Sequence, residues 1–229
     1  MIDGKKISAV ITAAGNGLRM KSNKAKPYIE IMGRKILEIS LDTIVKLDQI
    51  DQIIVVIRKD DENYLKDILK KYDKKISYAF GKETRELSTY EGLKAVDKNS
   101  KLVLTHDGVR PFASKELFEK VLENLKKYKA VISAVKSKDT VKIVDENSLV
   151  KTTPLRKEVY NVQTPQAFDK EMILDFYQKY TQSNFTITDD SQLFEIYSEE
   201  KIKVVEGEYS NIKMTTPEDL IFAKAFLED

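Results

Sequence analysis

Two glycines and two cations lie close together near the start of the chain, in the stretch AAGNGLRMKSNKAKP of residues 13–27. Gly15 and Gly17 directly follow an apolar run, although the whole chain has only 8 glycines. Arg19 comes next, and Lys26 follows it by seven residues. Glycine lets a backbone approach a ligand closely, and backbone N–H groups together with Arg and Lys attract anions. The pattern therefore predicts an anion-binding loop, whose cations would stabilise the charge that builds on phosphorus during a phosphoryl-type transfer.

The two commonest phosphate-binding loops do not fit this stretch. A dinucleotide fingerprint requires a third glycine where the segment GNGLRM has Met20, and a P-loop requires a Gly-Lys-Ser or Gly-Lys-Thr sequence that does not follow. One alternative stays open, namely a tight turn in which Arg19 and Lys26 are ordinary surface charges. Because the loop follows a predicted strand, where open sheets bind ligands, the sequence favours a nucleoside triphosphate.

Predicted strands and helices alternate through the first part of the chain. Short apolar or β-branched runs predict strands at Lys6–Ala14, Gln52–Ile57, Lys75–Phe80, Lys101–Thr105 and Ala130–Val135. Helical spacing of apolar residues predicts helices at Ile36–Leu47, Asp61–Tyr72, Thr84–Val96 and Ser114–Tyr128. This alternation indicates an α/β fold with a Rossmann-like open, mostly parallel sheet, which would place the glycine loop at a ligand-binding edge.

The alternation stops between Ser137 and Gln163. Short β patterns at Thr140–Val144 and Leu149–Thr152 flank an Asp-Glu-Asn-Ser turn and predict a β-hairpin arm. A lone hairpin is marginal in water, so we expect the arm to pack on a second subunit. The chain then continues with helices at Lys170–Tyr180 and Asp189–Ser198, a strand at Ile202–Glu206 and a last helix that begins near Thr216. We therefore expect one domain over residues 1–229, with a dimerisation arm at about 137–163.

The composition excludes several classes of protein. The formal net charge of +2 does not indicate a general nucleic-acid binder, and the absence of cysteine excludes disulfides, thiolate catalysis and Cys-ligated metals. No apolar run approaches the ~20 residues that cross a membrane, and the N-terminal sequence MIDGKKISAV lacks the apolar segment of a signal peptide. The expected location is the cytoplasm, without nucleic-acid or membrane partners.

Several further stretches give the chain a recognisable resemblance. They are HDGVRPF at residues 106–112, KDTVK at 138–142, QTPQAF at 163–168, ITDDSQLFE at 187–195 and NIKMTTPEDL at 211–220. With the glycine loop and its Lys-Pro sequence, these stretches resemble, in unbroken order from Lys6 to Ala225, the 2-C-methyl-D-erythritol 4-phosphate cytidylyltransferase family. The resemblance implies a fold of the nucleotide-diphospho-sugar transferase type. It also implies formation of CDP-methylerythritol and pyrophosphate from CTP and methylerythritol phosphate, with Mg²⁺, in non-mevalonate isoprenoid biosynthesis.

The resemblance also implies roles for individual residues. It implies catalytic roles for Arg19, Lys26 and Lys213. The expected CTP-binding residues are Ala13, Ala14, Gly15, Gly17, Gly81, Lys82 and Ser88. The expected polyol-phosphate-binding residues are Asp107, Thr140, Arg156 and Lys213, and in this family the arm with Thr140 and Arg156 crosses to the partner subunit of a homodimer. Metal ligands are not identified, with Asp107 as the one candidate.

Other interpretations of these residues stay open. A ribitol-5-phosphate cytidylyltransferase of teichoic-acid synthesis shares most of the motifs, and a non-catalytic nucleotide-binding module is the alternative from another class. Asp107 could instead cap a turn or pair with Arg110. His106, the only histidine, is expected to be structural, and the Asp189-Asp190 pair is expected to begin a helix.

Overall fold

The computed structural model of the protein describes residues 1–15 and 25–228. Its strands are β1 (Lys6–Thr12), β2 (Glu30–Ile31), β3 (Arg34–Lys35), β4 (Gln52–Ile57), β5 (Ile76–Phe80), β6 (Ser100–Asp107), β7 (Ala130–Lys136), β8 (Ile143–Val144), β9 (Val150–Thr152), β10 (Tyr160–Asp169) and β11 (Ile202–Glu206). Its α-helices are α1 (Ile36–Ile44), α2 (Glu62–Leu69), α3 (Arg85–Lys94), α4 (Lys115–Asn124), α5 (Lys170–Tyr180), α6 (Gln192–Tyr197) and α7 (Pro217–Glu228).

Seven strands form a central sheet in the order β11-β7-β10-β6-β1-β4-β5. All neighbours pair in parallel except β10, which runs antiparallel to both β6 and β7. The inner strands β1, β4, β6 and β7 are largely buried because helices cover both faces, and each face has its own apolar cluster. The prediction of an open, mostly parallel α/β sheet is therefore confirmed.

Side-chain caps begin three of the helices that flank the sheet. Thr84, Ser114 and Asp169 precede α3, α4 and α5, and the side chain of each accepts a hydrogen bond from a backbone N–H in the first turn. These caps fix where the chain leaves the strands. Because β1, β4, β5 and β6 run parallel, the loops after β1, β5 and β6 meet at one edge of the sheet.

Strand β10 was missed by the sequence analysis. Its first residues, Tyr160 to Gln163, pair with β7 and therefore lie in the main sheet, at the base of the predicted arm. The pairing shifts register between Gln163 and Gln166, where the Thr164–Pro165 peptide bond is cis. The antiparallel hairpin of β8 and β9 extends outside this sheet, where the sequence placed its arm.

Candidate active site

A cavity of about 390 Å³ opens at the carboxyl ends of β1 and β6. Three segments line it: residues 12–15 after β1, residues 82–85 with Ser88 at the start of α3, and residues 213–215 before α7. Lys26 and Asp107 complete the lining with Pro27 and Val109. The structure thus brings together the predicted residues Ala13, Ala14, Gly15, Lys26, Lys82, Ser88, Asp107 and Lys213. Gly17 and Arg19 lie outside the described residues.

Lys26 is held between the cavity and the segment before α7. Its side chain is only 9% exposed, and its Nζ donates a hydrogen bond to the carbonyl oxygen of Thr215 at 3.0 Å. The lysine begins a three-residue 3₁₀ turn with Pro27, which fixes the local backbone. An ammonium group held in this way faces the cavity in a defined position rather than as a mobile surface charge.

Gly81, a predicted CTP-binding residue, is not among the described residues that line the cavity, but it packs closely against two that do. A Cβ atom added to Gly81 would lie 2.6 Å from both Ala14 Cβ and Ser88 Oγ, so this position tolerates no side chain without movement. The Ser88 hydroxyl accepts a hydrogen bond from Lys82 N–H at 3.0 Å and lies 2.7 Å from the carbonyl oxygen of Thr84, to which it donates. Ser88 therefore closes the loop that forms this part of the cavity wall.

Asp107, at the end of β6, lies at the centre of a charge cluster. Its Oδ1 accepts from Thr12 Oγ1 at 3.4 Å and from Arg85 Nε at 3.2 Å. Its Oδ2 accepts from Lys213 Nζ at 3.0 Å and from Arg110 Nε at 3.4 Å. Burial alone would raise the pKa of this carboxyl, but the three cations outweigh burial and hold its pKa well below the ordinary value. The pairing with Arg110 confirms one of the two alternatives for Asp107.

Arg85, which the sequence analysis did not single out, links Asp107 to a buried carboxylate. Its Nη1 donates to Asp190 Oδ1 at 2.8 Å, and Asp190 is 0% exposed. Asp190 also accepts hydrogen bonds from Tyr177 OH at 2.6 Å and from Thr105 Oγ1 at 2.8 Å. The prediction that Asp189-Asp190 begins a helix is therefore wrong for Asp190, whose carboxylate points into the core, where half-buried Arg85 compensates its charge.

Asp189 supports the turn that leads into α6, close to the predicted start of this helix. Its Oδ1 accepts a hydrogen bond from the backbone N–H of Gln192, the first residue of α6, at 3.1 Å. The two neighbouring aspartates thus point to opposite sides of the chain. Sequence gave no signal for this difference, because the partners of Asp190 come from β6, α3 and α5.

A second cavity of about 500 Å³ adjoins the first. Arg85, Asp107 and Lys213 line both cavities and so form a shared wall. The rest of its lining is mostly polar: Arg110, Gln163, Thr164, Gln166, Thr188, Asp189, Ser191, Gln192 and Glu195, with Ile132 and Val162. Two polar spaces with a cationic wall between them could hold two charged reactants side by side.

His106 lies behind this wall and is structural, as expected. Thr164 Oγ1 accepts a hydrogen bond from Asp107 N–H at 3.0 Å, so its hydroxyl hydrogen points to His106 Nδ1, also at 3.0 Å. His106 Nε2 then carries the ring proton and donates to the carbonyl oxygen of Arg110 at 3.1 Å. Burial lowers the pKa of His106 to about 4, so the ring is neutral at neutral pH.

Thr140 and Arg156 are not brought to either cavity by their own chain. Both are exposed and lie on the arm, Thr140 before β8 and Arg156 in a short 3₁₀ turn after β9. Neither is among the described residues that line the two cavities. Their predicted role therefore depends on a second subunit.

The described residues do not form a protein cage for a metal ion. In residues 1–15 and 25–228, no group of three or more His, Cys, Asp or Glu side chains could hold a metal. Asp107, the tentative metal ligand, already accepts from four donors, which occupy both of its oxygens. Separately, none of the helices in the described part of the chain has the length and apolar character that a membrane span requires.

Comparison with known proteins agrees with this geometry. The family model of 2-C-methyl-D-erythritol 4-phosphate cytidylyltransferase matches residues 7–229. A protein with that name from Caldanaerobacter subterraneus subsp. tengcongensis is 39% identical over 96% of this chain and 98% of its own length. Another from Clostridium botulinum (strain 657 / Type Ba4) is 40% identical over 97% of this chain and 98% of its own.

Solved structures give the same result. The crystal structure of 4-diphosphocytidyl-2C-methyl-D-erythritol synthase from Anaerococcus prevotii superposes with a TM-score of 0.92 and 63% identity, over 100% of this chain and 98% of that one. The Thermus thermophilus 2-C-methyl-D-erythritol 4-phosphate cytidylyltransferase superposes with a TM-score of 0.78 and 26% identity, over 98% and 100%. Together with the family match, these likenesses show that the chain belongs to the 2-C-methyl-D-erythritol 4-phosphate cytidylyltransferase family.

Proposed function

We propose that the protein transfers the cytidylyl group of CTP to 2-C-methyl-D-erythritol 4-phosphate and releases pyrophosphate. The observation that carries the proposal is the pair of adjoining polar cavities that share Arg85, Asp107 and Lys213. A transfer between two phosphorylated reactants requires two such spaces with cations where the phosphates meet. Family membership names the two reactants.

CTP occupies the first cavity, with its triphosphate along Gly15 and Lys26 and its base against the Gly81–Ser88 segment. An oxygen of the methylerythritol phosphate forms a bond to the α-phosphorus, and the bond from this phosphorus to the α,β-bridging oxygen breaks. The electron pair of the broken bond leaves with pyrophosphate. Lys26 and Arg19 stabilise the negative charge that builds on the non-bridging α-oxygens in the transition state.

Methylerythritol phosphate occupies the second cavity. Lys213 faces this space from the shared wall and Arg110 lines its remainder, and both carry positive charge that attracts the attacking phosphate. The remaining lining offers hydroxyl, amide and carboxylate groups, among them Thr188, Asp189 and Gln192, which suit a polyol. Lys213 pairs with Asp107, and we propose that it exchanges part of this pairing for the substrate phosphate.

Mg²⁺ is proposed to arrive with the triphosphate of CTP. This ion keeps several waters and is commonly bound by substrate phosphates rather than by an all-protein cage. The donor set of Asp107 does not fit a direct ligand role, because four hydrogen bonds use both carboxylate oxygens. No step of the proposed reaction is assigned to the metal.

A homodimer completes the proposed site. The arm exposes Ile143, Val144, Leu149, Val150 and Leu155, each at least 48% exposed, and apolar side chains on a two-stranded ribbon favour packing against another surface. We propose that the arm packs on a second copy and brings Thr140 and Arg156 to the partner's polyol phosphate. The absence of cysteine fits a reducing compartment, and we propose that the enzyme works in the cytoplasm.

Pyrophosphate release tests the reaction directly. The purified protein is incubated with Mg²⁺ and each of CTP, UTP, ATP and GTP, paired with methylerythritol phosphate or ribitol 5-phosphate. We expect turnover with CTP and methylerythritol phosphate, and at least about tenfold lower kcat/KM for purine nucleotides, because the Gly81–Ser88 segment is proposed to form a narrow pocket that fits a pyrimidine. Preferred turnover of ribitol phosphate would contradict the proposed acceptor. If no pyrophosphate were released with either polyol phosphate, the proposed reaction would be wrong.

A further inference from the structure

A fully buried carboxylate lies behind the wall shared by the two cavities. Asp190 is 0% exposed and is not among the described residues that line either cavity. Four donors surround its two oxygens. Tyr177 OH at 2.6 Å and Arg85 Nη1 at 2.8 Å donate to Oδ1, and Thr105 Oγ1 at 2.8 Å and Arg85 Nη2 at 3.5 Å donate to Oδ2.

Arg85 uses different edges of one guanidinium group for two carboxylates. Its two terminal nitrogens face Asp190, and its Nε donates to Asp107 Oδ1 at 3.2 Å. Because a guanidinium is planar and rigid, fixing its terminal nitrogens also fixes the direction of Nε. The orientation of Asp107, and with it the position of Lys213 on Oδ2 at 3.0 Å, therefore depends on Asp190.

Stability alone does not account for this arrangement. A buried ion pair contributes little net stability compared with apolar side chains of the same volume, since both charges must leave water. Here three cations, Arg85, Arg110 and Lys213, face two carboxylates, which leaves one positive charge at the place where two phosphates would meet. Without Asp190, Arg85 would turn fully toward Asp107 and compete with Lys213 for it.

We infer that Asp190 is a positioning residue for the transfer reaction. It acts through Arg85 to hold the side chains of Asp107 and Lys213 in fixed positions between the two reactants. The inference rests on the proposed function. Asp190 touches neither reactant, and its effect is on alignment rather than on binding.

The variant Asp190→Asn tests this inference, because it keeps the shape of the side chain but presents an amide N–H to Arg85. We expect kcat to fall by about tenfold to a hundredfold, as for a small misplacement of reacting groups. The KM values for both substrates should stay unchanged or decrease, because the wall gains net positive charge. A looser fold would instead raise KM, so this split distinguishes positioning from structural damage.

Tyr177→Phe is the matched control. It removes another hydrogen bond from the same carboxylate but leaves the contact between Asp190 and Arg85 in place. We expect it to lower the melting temperature while kcat stays within about twofold of the wild type. If the two variants lower kcat equally, or if Asp190→Asn lowers only the melting temperature, the positioning role is wrong.

A double-mutant cycle and a structure complete the test. Arg85→Lys keeps the positive charge but loses the planar set of guanidinium donors. Adding Asp190→Asn to this variant should change kcat by no more than about twofold further, because both substitutions break the same contact from Asp190 through Arg85 to Asp107. Additive losses would overturn the inference.

If the wild type released no pyrophosphate, the proposed function would fail. The crystal structure of Asp190→Asn would then decide the inference alone: unmoved Arg85 and Asp107 side chains would overturn it, and a rotated Asp107 carboxylate would support it.

Discussion

At the scale of single residues, Lys26 is expected to contribute to the chemical step more than to CTP binding. Its ammonium is fixed by the Thr215 carbonyl and lines the nucleotide cavity, so it meets an incoming triphosphate in a set position. Charge on the non-bridging α-oxygens grows only as the transition state forms, and a cation placed there contributes mainly to kcat.

Replacing Lys26 with Met should lower kcat by about a hundredfold or more, on the order of 3 kcal/mol, as for the loss of one preorganised donor. CTP affinity, measured by calorimetry without the acceptor, should fall much less. Lys26→Arg serves as the matched control, because it keeps the charge and should recover part of kcat. Near-normal kcat in Lys26→Met would mean that the glycine loop is followed by an ordinary structural lysine.

His106 makes the stability of the fold depend on pH. The folded chain keeps His106 neutral down to a pH near 4, whereas the unfolded chain binds a proton below the ordinary pKa of 6.5. Because the unfolded state binds more protons in this window, its free energy falls relative to that of the folded state as the pH drops from about 6.5 to about 4.

We expect His106→Asn to remove this part of the pH dependence. Between pH 7 and pH 4 the wild type should lose about 3 kcal/mol more unfolding free energy than the variant, as measured by urea denaturation. Carboxylates that titrate in the same range contribute to both proteins and cancel in the difference. Parallel curves for the two proteins would show that the buried ring does not control this loss.

Local patterns predicted some site residues and could not predict others. Gly15, Lys26 and Lys213 were identified because each belongs to a short stretch with its own signature. The contact between Arg85 and Asp190 joins residues 105 positions apart, and both side chains look like ordinary surface charges in the sequence. Only the fold shows that the carboxylate of Asp190 is buried, because its partners come from three different elements.

At the scale of elements, β10 shows a limit of the periodicity argument. The predicted strands β4 and β11 and helix α5 match the structure at both ends. Strand β10 was missed because Pro165 interrupts its pattern, and proline in a run of residues normally argues against a central strand. The structure accommodates it at a register shift, where the ladder with β7 is already interrupted between Gln163 and Gln166.

The beginning of α7 holds the segment that carries Lys213 and contacts Lys26. Asp219 Oδ2 accepts from the backbone N–H groups of Thr215 at 2.6 Å and Thr216 at 2.8 Å, half of a capping box. The carbonyl of the same Thr215 holds Lys26, and Lys213 lies two residues earlier in the chain. One carboxylate at a helix start therefore positions two cations of the site.

We expect Asp219→Ala to reduce stability by about 1 kcal/mol, the usual effect of losing a cap. It should also lower kcat by about tenfold, because the loop that carries Lys213 and holds Lys26 loses its anchor. Glu218→Ala is the matched control: this neighbouring acid is exposed in the same first turn, and its removal should leave kcat within about twofold of the wild type. If both variants show the same kcat, the cap does not position the loop.

At the scale of the whole molecule, the arm exposes apolar side chains that its own chain does not cover. Its β8–β9 hairpin forms a separate two-stranded sheet and exposes apolar side chains, with Leu149 65% exposed and Val150 59% exposed. An isolated hairpin is marginal in water, so packing on a second copy would both stabilise the arm and cover these side chains. Arg156 lines neither of the two adjoining cavities of its own chain and would then belong to the partner's site.

Mixing two inactive variants tests this arrangement. Arg156→Ala chains and Lys213→Ala chains, unfolded and refolded together in equal amounts, should recover about a quarter of the wild-type activity, because half of the dimers gain one intact site of two. Each variant refolded alone should stay near its own low activity. As a control for the interface, Val150→Asp should produce a monomer by light scattering, whereas Ile221→Asp, at a 71% exposed position on α7, should leave the dimer intact. No recovery on mixing, with wild-type protein that is dimeric, would place Arg156 in the site of its own chain and contradict the crossing of the arm.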